Sequence, residues 1–255
     1  MSSNDKNDDD KKLDEYKDKC KKEAEELVKH AFPRKVLELN SLLHSNKFDL
    51  EQLSKLKPDL NIPIPDPSVL HNASDQISGK KRKFEDVTDY AESLSFKVGS
   101  KVLCLPNGAV PSSSCVTEMV DTVKPHIRDV IEHANQIKMW IAYSIPRIED
   151  GNNFGVGVQE DALAEAKQVE TDAASFLDQI SRYYLTRGNI IAKVAKYPHV
   201  LDYRRGVQEV DEKQALTMRL IVSELRNQYA CLHDLIMKNL DKIKTPRSTN
   251  AENMY

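Results

Sequence analysis

The chain has 255 residues, 40% of them hydrophobic and 30% charged, with 8 glycines and a net charge of −3 from 37 basic and 40 acidic side chains. A chain of that size buries a real core, and its balance suits long helices with charged outer faces better than a sheet-rich enzyme. The near-neutral total excludes a global field that would gather nucleic acid.

The opening Met1-Ser-Ser-Asn-Asp-Lys has no apolar run, so no secretory leader is expected. No stretch approaches the ~18 consecutive apolar residues of a membrane span. Cys20, Cys104, Cys115 and Cys231 are far apart and lack CxxC spacing, which points to free thiols in a reducing compartment rather than a zinc site.

Four segments read as long helices. The first runs from about Asp10 to Leu43, with Leu13, Tyr16, Cys20, Ala24, Leu27 and Ala31 at gaps of three and four. Pro33 falls inside it and predicts a kink or break, followed by a turn-rich piece carrying Val36, Leu39, Leu42 and Leu43. From Leu56 to Pro111 no helical period persists. Asn61-Ile-Pro-Ile-Pro-Asp-Pro demands extended backbone, because each proline pushes the residue before it out of the helical region. The polar stretch beyond it, about Ser68 to Ser95, reads as a functional insert or linker and carries the basic run Lys80, Lys81, Arg82 and Lys83.

The second helix starts near Ser113 or Ser114, both suitable N-caps. Val116, Val120, Val123, Ile127, Val130, Ala134, Ile137 and Ile141 then form a seam of the coiled-coil type, with a bend expected at Pro125 and a stop at Ile145-Pro146. The third runs from about Val158 to Tyr197 on Ala162, Ala166, Val169, Ala173, Phe176, Ile180, Tyr183, Ile190 and Val194, and Pro198 ends it. At ~1.5 Å per residue it is a rod of roughly 60 Å. The fourth begins at the N-cap candidate Asp202, carries Ala215, Met218, Val222, Leu225, Tyr229, Leu232, Ile236, Leu240 and Ile243, and stops at Pro246 before a polar tail.

The expected fold is therefore all-α, four long antiparallel helices in one bundle. Residues 1–57 supply the first helix with its acidic start, 58–112 the proline-rich insert, 113–244 the other three helices, and 245–255 the tail. Second apolar stripes (Met119, Ile131 and Trp140; Leu177, Tyr184 and Ile191) admit two readings: bundles packed side by side in an oligomer, or a wide core-facing surface.

No GxSxG, HExxH, GxxxxGK[ST] or strand-linked GxGxxG occurs. His126 and His133 share a helix face two turns apart without a third ligand. Asp150-Gly-Asn-Asn-Phe-Gly-Val-Gly fails as a calcium loop: Phe154 stands where an oxygen ligand belongs, and Asp161 is too short for the closing bidentate position. No catalytic residue, metal or cofactor is expected.

That same loop, Ile145-Pro-Arg-Ile-Glu-Asp-Gly-Asn-Asn-Phe-Gly-Val, resembles the activation loop of the REG (PA28-type) family of proteasome activators. Phe32-Pro-Arg-Lys-Val-Leu-Glu-Leu, Asn61-Ile-Pro-Ile-Pro-Asp-Pro, Leu177-Asp-Gln-Ile-Ser-Arg-Tyr-Tyr, Ala195-Lys-Tyr-Pro-His-Val, Ser223-Glu-Leu-Arg-Asn-Gln-Tyr, Asn239-Leu-Asp-Lys-Ile-Lys-Thr-Pro-Arg-Ser and Asn250-Ala-Glu-Asn-Met-Tyr resemble the family in the same order. The resemblance spans the chain apart from residues 1–10 and much of 68–100, and it is nearest to the gamma, nuclear type.

It implies a homoheptameric ring of four-helix subunits around a channel, without ATP use or hydrolysis of its own. Arg147, Ile148, Glu149, Asp150, Gly151, Asn152, Asn153, Phe154 and Gly155 would form the activation loop, with Asn152 at the position the family depends on. Asn253, Met254 and Tyr255 would dock between outer-ring subunits of the core proteasome. Lys80, Lys81, Arg82 and Lys83 would be read by a nuclear import receptor, and neither nucleic acid nor membrane is an expected partner. Gly151, Gly155, Asn152 and Asn153 are residue types that tolerate left-handed backbone, which a short reversal calls for. One departure stands out: Thr186-Arg187-Gly188-Asn189 replaces a Thr-Arg-Ala-Lys pattern, which leaves open the peptidase specificities that are stimulated. The alternative is a nuclear coiled-coil scaffold with no proteasome role.

Overall fold

The computed structural model describes residues 3–49, 60–66, 105–148 and 153–247. The basic run Lys80–Lys83, the loop residues Glu149, Asp150, Gly151 and Asn152, and the tail residues Asn253, Met254 and Tyr255 lie outside them.

The heptad-like apolar spacing becomes four antiparallel rods. The first is composite: α1 (Ser3–Glu26), a π-helical turn (Leu27–Ala31) and α2 (Phe32–Leu43). It is followed by a 3-10 turn (Asn46–Phe48) and, past the insert, by α3 (Ser114–Ser144), α4 (Phe154–Lys196) and α5 (Leu201–Lys238), with a short α6 (Leu240–Lys244) closing the chain.

The break expected at Pro33 takes the form of the π turn. Proline has no N–H and its ring crowds the carbonyl four residues back, here Lys29. The wider turn accommodates both by letting the Phe32 N–H bond to the Leu27 carbonyl, so the rod continues with Val28 and Phe32 buried. Helix α1 starts about seven residues earlier than the spacing indicated, and its first turns run free of the core: Leu13 and Tyr16, expected in the seam, are 49% and 55% exposed.

Helix α3 begins where serine caps were expected. Ser113 occupies the N-cap, but it holds the Thr117 N–H through its carbonyl (2.9 Å) rather than its hydroxyl. The helix continues through Pro125, and all eight seam residues from Val116 to Ile141 are buried. Across from them, Ala162, Ala166 and Ala173 of α4 allow close approach of the backbones, and Met218, Val222, Leu225, Tyr229, Leu232 and Ile236 of α5 complete the core. Helix α5 starts one residue before Asp202, which sits in the first turn as an acid favoured by the helix dipole; the cap position belongs to Val200. Its expected continuation to Ile243 is interrupted at Asn239 (φ −114°, ψ 15°), which sets off α6.

The second apolar stripes are absorbed within the subunit. Met119 and Trp140 are buried, Ile131, Leu177 and Tyr184 pack on the main core, and Ile191 packs on a smaller cluster. That cluster, with Leu60, Ile62, Val194 and Val207, holds the rims of the insert against the α4–α5 turn. There Asn61, with left-handed backbone (φ 49°), donates to the Asn107 carbonyl (3.1 Å), Asn107 donates back to the Asn61 side chain (3.2 Å), and Arg204 donates to the Ile62 carbonyl (2.8 Å). Both rims of the insert therefore lie at one end of the bundle, and the α3–α4 loop lies at the other.

Candidate functional site

The α3–α4 connection and the end of α6 meet at that second end. Helix α3 stops when the Ile145 N–H makes a last bond to the Ile141 carbonyl (3.1 Å) and Pro146 follows with no donor to extend the ladder. Beyond it Arg147 is exposed and Ile148 is fully so, at 102%. The chain re-enters the described residues at Asn153, whose backbone (φ −96°, ψ 7°) is in the bridge region and not left-handed. Phe154 follows, 76% exposed. Two large apolar side chains, Ile148 and Phe154, thus flank the loop and are turned to solvent.

Gly155 is not a turn residue. It lies in the first turn of α4, which begins four residues earlier than the spacing indicated, and it is buried. A Cβ there would stand 2.0 Å from the Pro246 carbonyl oxygen and 2.7 Å from the Pro246 Cα and carbonyl carbon. The absent side chain is what admits the backbone leaving α6. Arg247, next in the chain, donates from Nη2 to Asn153 Oδ1 (3.3 Å).

One turn further along α4, the Gln159 amide is fully buried, and its Nε2 donates to the Ser144 carbonyl (2.9 Å) and the Ile243 carbonyl (2.7 Å). The end of α3, the start of α4 and the end of α6 thus converge on one side chain. From the outside, Lys244 Nζ donates to Glu25 Oε1 (2.8 Å), which Lys29 also reaches (2.6 Å). The Lys244 and Lys29 ammonium groups hold the Glu25 carboxyl below the usual glutamate range despite partial burial.

Of the expected site residues, Arg147, Ile148, Asn153, Phe154 and Gly155 fall in this junction. Gln159, Pro246 and Arg247 were missed. Gln159 stands three residues before Ala162 on the buried face, and a polar residue on an otherwise apolar register was the available signal.

The two histidines both lie near Lys35 and Asp129 and are otherwise differently surrounded. His133 Nδ1 lies 2.7 Å from the Tyr229 hydroxyl, in an aromatic cluster with Phe32, while His126 neighbours Lys35, Glu38 and Asp129. Burial lowers the pKa of both imidazoles. Among the described residues no group of three or more His, Cys, Asp or Glu is placed to hold a metal ion.

Residues 7–67 match the family model for the N-terminal region of proteasome activator PA28, and residues 109–253 match that for its C-terminal region. The chain belongs to the PA28 family. Its relatives include the proteasome activator complex subunit 3 of Homo sapiens and of Gallus gallus, each 49% identical over 247 residues that cover 96% of this chain and 95% of theirs. The 11S subunit of the Plasmodium falciparum proteasome, PA28, superposes with a TM-score of 0.71 at 28% identity, over 93% of this chain and 94% of that one. A chain from a proteasome–11S activator complex shares the fold, with a TM-score of 0.59 at 13% identity over 92% of each chain. A PA28 protein activates proteolysis carried out by other subunits, so this chain is a non-catalytic regulator. The C-terminal family match covers both the α3–α4 loop and the root of the tail.

Proposed function

We propose that this chain forms a ring of seven identical subunits that docks on the core proteasome without ATP and opens its gate. Asn253, Met254 and Tyr255 of each tail enter pockets between outer-ring subunits, and the loop Arg147–Gly155 bears on the residues that close the pore. The observation that carries the reading is the convergence at Gln159: the stems of the loop and the root of the tail leave the bundle together, at one end.

Each tail is ordered on binding at a cost in conformational entropy, so one tail binds weakly. Seven on one rigid ring act at high effective concentration, and avidity supplies the grip. The loops act by shape, with Asn152 presenting a short amide to the gate and Ile148 and Phe154 offering apolar contact beside it. Leu37, Leu185, Leu216 and Leu220 are exposed on the outside of the single subunit, which supports a lateral partner of the same kind. Lys80, Lys81, Arg82 and Lys83 serve a nuclear import receptor, as a short basic run can.

The test is to mix the protein with purified core proteasome and a fluorogenic peptide in the absence of ATP, with native mass measured in parallel. The expected outcome is a sevenfold assembly and faster hydrolysis. A monomer, or an assembly that leaves hydrolysis unchanged, favours the scaffold alternative and overturns the proposal.

A further inference from the structure

The polar junction beneath the loop is built in a way that packing alone does not require. Gln159 occupies a position on the inner face of α4 where the register continues with Ala162 and Ala166. Two carbonyl oxygens face its terminal group, and only the NH2 end of the amide donates twice, so the orientation of the group is fixed by its partners. Those partners are of a particular kind. Ser144 ends α3 and Ile243 lies in the last turn of α6, where carbonyls have no intrahelical donor. The Gln159 Oε1 meanwhile is buried with no partner, a penalty that an aliphatic side chain would avoid. Gly155, one turn earlier on the same face of α4, borders the same junction, since any side chain there would meet Pro246 backbone rather than a group able to swing away.

Resting on the gate-opening reading above, we infer that Gln159 and Gly155 couple the tail to the loop. Gln159 ties the root of the tail to one stem of the loop at Ser144 while standing itself on the other stem, and Gly155 keeps the tail's departure pressed against that stem. When the tail is seated, the position of Pro246 and Arg247 is communicated to Asn153 and to the end of α3 through these contacts. Gln159 is thus a positioning residue for gate opening, and it touches neither the core particle nor the peptide.

The experiment uses the full chain with Gln159→Met, which keeps an unbranched side chain of similar length and removes both donors. Assembly mass, the concentration giving half-maximal stimulation of the core proteasome, and the stimulation reached at saturation are measured together. Expected are wild-type mass, a half-saturating concentration within about threefold of wild type, and saturating stimulation reduced at least about fivefold, as small misplacements of a positioned group produce. Gly155→Ala, which shifts the tail root instead, is expected to give the same split. Unchanged saturating stimulation overturns the inference, and so does a loss that follows affinity alone. If Gln159→Met fails to assemble, Gly155→Ala decides by the same criteria; failure of both to assemble makes the residues structural and also overturns it. Wild-type protein that does not stimulate at all sinks the functional reading instead, so the two failures are distinct.

Discussion

Both ends of the bundle place polar side chains on apolar seams to tie chain segments together, and they do it with different chemistry. At the insert end Arg187 donates from Nε to Asp211 Oδ1 (2.9 Å), Tyr183 donates to the same oxygen (2.8 Å), and Arg187 also reaches the Pro111 carbonyl (3.1 Å). At the loop end the fully buried tie is a neutral amide, Gln159, and the ion pairs of Glu25 with Lys244 and Lys29 lie nearer solvent. A buried ion pair is costly to break from one side, because it strands a charge. Removing a neutral amide strands no charge and costs less, although its acceptor carbonyls lose their donor. The insert end is therefore a fixed staple. The buried tie at the loop end joins the ends of α3 and α6 to the start of α4 without a buried charge.

The largest effect is expected where the charge is stranded. Arg187→Met leaves Asp211, which is 1% exposed, without its cation, and stability should fall by ~3–5 kcal/mol. Thermal unfolding checks this, and a loss below about 1 kcal/mol would remove the contrast between the ends. Gly155→Ala is expected to be intermediate, ~1–3 kcal/mol, because backbone and not a side chain must yield. Gln159→Met should cost ~1–2 kcal/mol in denaturant unfolding, since the Ser144 and Ile243 carbonyls lose their donor and this is offset in part by release of the orphaned oxygen. A cost as large as that of Arg187→Met would mean the two ties are equivalent.

The smallest effect is a pH dependence at the loop end. The folded-state pKa of Glu25 lies below its unfolded value, so the contribution of its pairs with Lys244 and Lys29 is fully present above the ordinary glutamate value of ~4.3 and is lost as pH falls through the folded value. Glu25→Gln should remove that contribution, lowering stability slightly at neutral pH, flattening that part of the acid unfolding profile and converging with wild type at low pH. An unaltered acid limb would show that the pair does not anchor α6.

The helices were legible because their seams are long: Val116 to Ile141 and Ala215 to Ile236 contain enough turns to average out local preference. The polar ties were not, since Gln159, Arg187 and Asp211 read as interruptions of a seam and only the fold shows what they hold. Pro33 announced a disturbance but not its form, because the π turn depends on Val28 and Phe32 both finding the core. Gly155 was read for backbone freedom, whereas its use is steric and comes from Pro246, 91 positions away in the chain. Leu13 and Tyr16 have helical spacing, yet spacing carries no information on whether a neighbouring helix is long enough to cover them.

The division of labour between anchor and lever is tested most directly by comparing core-proteasome binding and peptide hydrolysis for wild type, Asn152→Tyr and a chain ending at Arg247. The account predicts that Asn152→Tyr still binds and no longer stimulates, while the shortened chain does neither. Loss of binding and stimulation together in Asn152→Tyr, or stimulation by the shortened chain, would contradict it.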